Sequence, residues 1–108
     1  MKCVLLGLLA VAALAPPPAR QTFTGTITDS MCANADHSHM RMGPTDAECV
    51  VACIEEHEAA YVLSSGKNSY QLSDQKAPAK FAGRKVTITG TLDAKTRTIT
   101  VQSIAAAR

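Results

Sequence analysis

Aromatic residues are scarce in this chain of 108 residues, which contains two phenylalanines, two tyrosines and no tryptophan. Surfaces that bind single-stranded nucleic acid stack the bases on aromatic side chains, so we expect no nucleic-acid partner. The chain also lacks a glycine-rich phosphate loop and a serine nucleophile motif. Its adjacent carboxylates Glu55 and Glu56 lie on a predicted helix and point apart, which argues against an acid–base pair. We therefore expect a protein that is not an enzyme.

Long hydrophobic runs are also few. The longest, residues 3–15, is shorter than the roughly 20 residues that a membrane span requires. It follows the positive charge of Lys2 and ends in small residues, a pattern typical of a secretory signal peptide, and three prolines after it predict a tether. We expect residues 1–20 to be this signal peptide and tether, and residues 21–108 to be one folded domain. The protein would then be exported, periplasmic or secreted, with no stable membrane anchor after cleavage.

The formal net charge of +2 conceals two halves of opposite sign. Residues 21–63 contain one basic and seven acidic side chains, whereas residues 64–108 contain eight basic and two acidic ones. The acidic half holds all the histidines and, apart from Cys3, all the cysteines. A negative field there favours a bound cation. Two solvated faces of opposite charge are the alternative explanation of the same pattern.

Alternating apolar and polar residues predict five strands, and glycines within the first and fourth strands indicate bends. Ile104 is out of phase with the preceding apolar residues of the last strand, which predicts a bulge or a strand end nearby. The predicted strands cover residues 22–28, 61–63, 69–72, 85–92 and 97–104.

A helix is predicted from Asp46 to about Ala59, because Thr45 and Glu48 form a capping box at its start. A short helical turn is predicted over residues 77–82. The fold class is therefore mainly β: a small five-stranded OB-like barrel with one α-helix after the first strand and a short helical turn before the fourth.

Cysteine is the most informative residue type. Four are present, and Cys3 lies in the predicted signal peptide, so an odd number remains and at least one thiol cannot pair within the chain. Cys49 and Cys53 are four residues apart and lie on one face of the predicted helix. A disulfide between them would be strained within an intact helix. Two thiolates in this arrangement can instead share a metal ion.

Residues 31–42 supply further ligand atoms, since this segment contains three of the four methionines and two of the three histidines. A cysteine and one histidine from this segment, with the two helix cysteines, would form a Cys3His site that suits tetrahedral Zn²⁺. The methionines also favour Cu(I). We predict an exported metal-binding protein whose partner and cofactor is Zn²⁺ or Cu(I). The candidate ligands are Cys32, His37, His39, Cys49 and Cys53.

Two other interpretations of the cysteines remain open. Cys32 could form a disulfide with Cys49 or Cys53, as small exported domains often do, and the barrel would then be a metal-free binding module for an unknown partner or ligand. A thiol redox protein could use Cys49 and Cys53, although their spacing is not that of the usual redox motif.

Several segments carry a further pattern: Gly25-x-Ile27-x-Asp29-Ser30-Met31-Cys32, a histidine, Cys49-x-x-x-Cys53, Tyr61-Val62-Leu63 and Phe81-Ala82-Gly83-x-x-Val86-x-Ile88-x-Gly90-Thr91-Leu92. This pattern resembles a group of small exported bacterial proteins of uncharacterised function and covers nearly all of residues 21–108. The resemblance implies an OB-like barrel and export, but no particular activity. It also implies that Cys32, His37, Cys49 and Cys53 are important.

Overall fold

The computed structural model describes residues 19–107, so the predicted signal peptide and most of its tether lie outside the described residues. Within that range no helix is long and apolar enough to span a membrane. A 3-10 turn at Ser30–Cys32 follows the first strand, and a second at Ala77–Phe81 precedes the fourth. The longer elements are β1 (Gln21–Asp29), α1 (Asp46–His57), β2 (Tyr61–Ser65), β3 (Asn68–Leu72), β4 (Lys85–Asp93) and β5 (Thr98–Ala106).

The five strands form one closed sheet in the order β1-β2-β3-β5-β4, and β4 pairs with β1 to complete the ring. All neighbouring strands are antiparallel except β3 and β5, which are parallel. The prediction of a mainly β, five-stranded fold with one helix after the first strand and a helical turn before the fourth is confirmed.

Aliphatic side chains fill the interior, in keeping with the shortage of aromatic residues. Ile27 and Leu63 contact residues of the opposite strands, and Val50 of α1 packs into the same core. Phe23 and Tyr70 lie at its margin with their ring centroids 5.4 Å apart. The fully buried aliphatic side chains are Ile27, Val50, Leu63, Val86, Ile88 and Ile99.

Helix α1 begins where its capping residue predicts and ends earlier than predicted. The Thr45 hydroxyl accepts a hydrogen bond from the Glu48 backbone N–H at 3.1 Å, which satisfies one of the free donors of the first turn. Glu58 then adopts a left-handed conformation, with φ 54°, and both its N–H and that of Ala59 turn back to the Cys53 carbonyl. The helix therefore ends at His57, two residues before the predicted end.

A bulge in β5 accounts for the phase of Ile104. Thr89 of β4 pairs with Ser103, but the next residue, Gly90, pairs with Val101, so Gln102 has no partner on β4. Beyond this extra residue Ile104 pairs with Ile88. The predicted irregularity is confirmed, and it bends the strand as closure of a small sheet requires.

Gly90 lies where two strand backbones approach too closely for a side chain. A Cβ atom at this position would overlap the Thr100 carbonyl oxygen of β5. Gly25 of β1 is in the same situation against the Ser64 carbonyl oxygen of β2. The predicted bends in the first and fourth strands therefore coincide with close backbone contacts.

The Gly90→Ala variant should lower the free energy of unfolding by about 1–3 kcal/mol, the usual cost of forcing extra atoms into a packed site. The new Cβ would push against the Thr100 carbonyl, and β4 and β5 would have to part. Urea unfolding measures the change. The control Ser103→Ala, at an exposed position of β5, should change stability by less than about 0.5 kcal/mol. If Gly90→Ala were as stable as the wild type, the Thr100 carbonyl oxygen would not lie as close to position 90 as the structure indicates.

Candidate metal centre

The site begins with the carboxylate of Asp29, the last residue of β1. Its Oδ1 accepts hydrogen bonds from the backbone N–H groups of Met31 at 2.9 Å and Cys32 at 3.0 Å. These bonds cap the 3-10 turn and bring Cys32 back over the end of the strand. Asp29 is fully buried, and its second oxygen, Oδ2, has no hydrogen-bond partner. A buried carboxylate with one unpaired oxygen is costly unless a cation or donor compensates it.

The loop after the turn places the imidazole of His37 next to this pair. His37 is only 3% exposed, and its Nε2 lies 3.4 Å from the hydroxyl of Thr28 on β1. That hydroxyl already donates its single proton to the Cys32 carbonyl oxygen at 2.9 Å, so it can only accept from the ring. We therefore assign the ring proton to Nε2, which leaves Nδ1 with a free lone pair.

Three different ligand types meet at this point. One ligand atom from each of Asp29, Cys32 and His37 lies within 4.8 Å of the other two, and all three residues are buried. Metal–ligand bonds of about 2.0–2.3 Å at tetrahedral angles separate the ligand atoms by roughly 3.3–3.8 Å. Small side-chain rotations would therefore allow all three to bind one ion. The two buried polar side-chain atoms that have no hydrogen-bond partner within residues 19–107, His37 Nδ1 and Asp29 Oδ2, come from two residues of this cluster.

Both cysteines of α1 are fully buried and lie beside this cluster, but not within it. The Cys49 thiol donates to the Met40 carbonyl oxygen at 3.4 Å, and its sulfur accepts from the Met42 backbone N–H at 3.3 Å. Cys53 directs its thiol to the Met42 thioether sulfur at 3.8 Å. The helix thus presents its two sulfurs to the loop, as their four-residue spacing predicts.

Burial and nearby negative charge raise the pKa of two buried thiols, those of Cys53 and Cys32. Burial, followed by the charges of Asp29 and Cys49, raises the pKa of the Cys53 thiol to about 12. Burial also raises the pKa of Cys32, and the charge of Asp29 is the second cause. The Cys53 thiol donates to the Met42 sulfur, and Asp29 lies near enough to raise the pKa of Cys53 through its charge and through side-chain hydrogen bonding.

The two remaining histidines lie outside this cluster. His39 is exposed, although it lies only two residues from His37. His57, the last residue of α1, is also exposed, in keeping with an ordinary helix residue. Cys32 and His37 are the predicted ligands that the structure brings into one close cluster, together with Asp29. No disulfide joins any of the three cysteines within residues 19–107, so the disulfide interpretation finds no support.

Asp29 and Thr28 were missed by the analysis of ligand-forming residues. Asp29 follows an alternating strand and precedes a serine, so its sequence context indicates a turn, not a ligand. Thr28 belongs to the threonines on the polar side of β1, yet it is fully buried. A signal for Asp29 was present in the three-residue spacing to Cys32, which is that of a capped turn.

Comparisons with known proteins do not add a relative to this picture. No family model, no curated protein and no solved structure matches the chain.

The raised pKa of Cys53 predicts a loss of stability at alkaline pH. The ordinary thiol pKa is 9.0, so the unfolded chain releases this proton above about pH 9, while the native protein retains it up to about pH 12. The contribution of the buried thiol to the free energy of unfolding is therefore complete below pH 9. It is lost as the pH rises toward 12, by up to about 1.4 kcal/mol per pH unit.

Urea unfolding of the metal-free protein at about pH 8, 9 and 10 measures this slope. The Cys53→Ala variant is the control, because it retains every other titrating group. We expect the wild type to lose about 1 kcal/mol more than the variant between about pH 9 and pH 10. If the free energy of unfolding changed with pH to the same extent in both proteins, the raised pKa of Cys53 would be contradicted.

Proposed function

We propose that this is an exported protein that binds a divalent metal ion, Zn²⁺, at the cluster of Asp29, Cys32 and His37. The proximity of the three buried ligand atoms supports the proposal most directly. A carboxylate, a thiolate and an imidazole are all established zinc ligands, at distances of about 2.0–2.3 Å. The role proposed is binding, without catalytic turnover.

A bound cation would satisfy the atoms that the protein leaves unpaired. Asp29 Oδ2 and His37 Nδ1 are buried and have no hydrogen-bond partner. Unpaired buried polar groups commonly cost about 1–3 kcal/mol each. An ion between them accepts lone pairs from both and offsets the buried negative charge. The hydrogen bond from His37 Nε2–H to Thr28 would orient the ring, as outer partners of metal-bound histidines usually do.

The mixture of ligand types argues for zinc over copper at this cluster. Cu(I) prefers sulfur ligands, whereas a carboxylate suits harder ions, and Zn²⁺ accepts both together with imidazole. The site differs from the Cys3His set that the sequence predicted, because Asp29 is a ligand and the two helix cysteines are not. The fourth position would be filled by water.

Zinc affinity of purified, reduced protein can be measured by competition with a chromophoric chelator. His37→Gln, Cys32→Ser and Asp29→Asn should each weaken binding at least about tenfold, since each removes a ligand atom. Asparagine retains an oxygen that can cap the turn, so Asp29→Asn removes the second oxygen and the negative charge while the cap remains. The control His39→Gln makes the same exchange at an exposed position and should bind zinc as the wild type does.

Wild-type affinity in both His37→Gln and Asp29→Asn would reject the proposal. Cys53→Ser should bind zinc as the wild type does, because Cys53 lies outside the cluster of Asp29, Cys32 and His37. Circular dichroism of each metal-free variant shows whether a loss of affinity reflects a loss of fold.

Export is proposed from the character of the first residues. When the full chain is produced in a bacterial host, we expect it in the periplasmic fraction. Its intact mass should lack the apolar run at residues 3–15 and the residues before it. Full-length protein in the cytoplasmic fraction would contradict this part of the proposal.

A further inference from the structure

Three sulfur-bearing side chains lie where the loop covers α1, on the side of the helix that carries the two buried cysteines. They are the thiols of Cys49 and Cys53 and the thioether of Met42, which we call the sulfur cluster. None of the three residues belongs to the close group of Asp29, Cys32 and His37. The cluster therefore needs its own explanation.

We propose that the sulfur cluster is a second metal site, selective for a thiophilic monovalent ion, Cu(I). Its ligands would be two thiolates and one thioether, a set without nitrogen or carboxylate oxygen. Soft sulfur ligands select Cu(I), whereas a divalent ion gains more from the mixed ligands of the neighbouring cluster. The proposal goes beyond zinc binding and does not depend on it.

The distance between two of the sulfurs fits a shared ion. Cys53 Sγ and Met42 Sδ are 3.8 Å apart. Taking a metal–sulfur bond of about 2.3 Å as a guide, two ligands at a trigonal angle lie about 4.0 Å apart, and at a tetrahedral angle about 3.8 Å. The pair therefore has the separation of bound ligands before any ion enters.

The backbone around Cys49 is arranged for a charged sulfur. The Met42 N–H donates to Cys49 Sγ at 3.3 Å, so one residue of the loop contacts both helix cysteines, through its backbone and through its side chain. Hydrogen bonds to a charged acceptor are stronger than those to a neutral one, so this N–H would stabilise a thiolate more than a thiol. The four-residue spacing keeps both sulfurs on one helix face.

Binding exchanges protons for the ion without any change of oxidation state. Two Cys–SH groups and one Cu⁺ give a dithiolate complex and two released protons, and the thioether of Met42 adds a lone pair. The thiol of Cys49, which donates to the Met40 carbonyl oxygen, would lose that hydrogen bond when its proton leaves. Its bond from the Met42 N–H would remain.

Cu(I) affinity of the reduced full chain under anaerobic conditions can be measured by competition with bathocuproine disulfonate. We expect Met42→Leu to weaken Cu(I) binding by about tenfold, and Cys49→Ser by about a hundredfold, as expected when a ligand is removed. Met42→Leu nearly conserves volume, so the fold should tolerate it even if Cys49→Ser does not fold. Met40→Leu is the matched control, because its side chain is 47% exposed.

His37→Gln should leave Cu(I) affinity unchanged while it weakens zinc binding, which separates the two proposals: zinc binding can fail while the copper result stands. Copper X-ray absorption of the loaded protein should show sulfur neighbours only. The inference is overturned if Met42→Leu binds Cu(I) as Met40→Leu does, if His37→Gln weakens Cu(I) as much as Cys49→Ser does, or if nitrogen or oxygen appears among the copper neighbours.

Discussion

The buried carboxylate of Asp29 is the constraint on which the rest of the site depends. It ends β1, and its Oδ1 holds the backbone of the following turn through two N–H groups. The same side chain leaves Oδ2 unpaired, and it belongs to the cluster with Cys32 and His37. The chain turn and the ligand geometry therefore come from one residue. A substitution that disturbs the turn also displaces the Cys32 sulfur, so folding and binding are coupled at this point.

The sequence contained most of the fold because the sheet is built from local alternation. Five apolar patterns predict the strands, and the phase of Ile104 predicts an irregularity in the last one, whereas the two strand glycines predicted bends and mark the close backbone approaches that the structure shows. The end of α1 was less predictable. Glu58 takes a left-handed conformation that glycine normally favours, and nothing in its side chain indicates this. The conformation follows from the way the chain must enter β2.

The candidate site was predictable only in part. Cys32 and His37 stand out by residue type, whereas Asp29 resembles any turn residue at the end of a strand. Thr28 lies on the side of β1 that alternation assigns to solvent, and it is buried because the loop after β1 covers that side. Such burial is a tertiary effect. Likewise, Met42 lies with the helix cysteines, whereas Cys32 and His37 lie with Asp29. This arrangement depends on how the loop packs on the helix, which residue spacing does not predict.

The irregular segment between the first 3-10 turn and α1 has a consequence for the kinetics of ion exchange. The hydrogen bonds that hold it include those of His37 to Thr28, of Cys49 to the Met40 carbonyl oxygen and of Met42 with the helix sulfurs, and Arg41 forms an exposed ion pair with Asp46 at 2.8 Å. Irregular segments of this kind open at low free-energy cost, well below that of global unfolding. An ion bound at either proposed site would then enter or leave during such openings. Retention would then be set by the frequency of local opening and by the ligand bonds that resist it, so a slowly exchanging ion need not be one of extreme affinity.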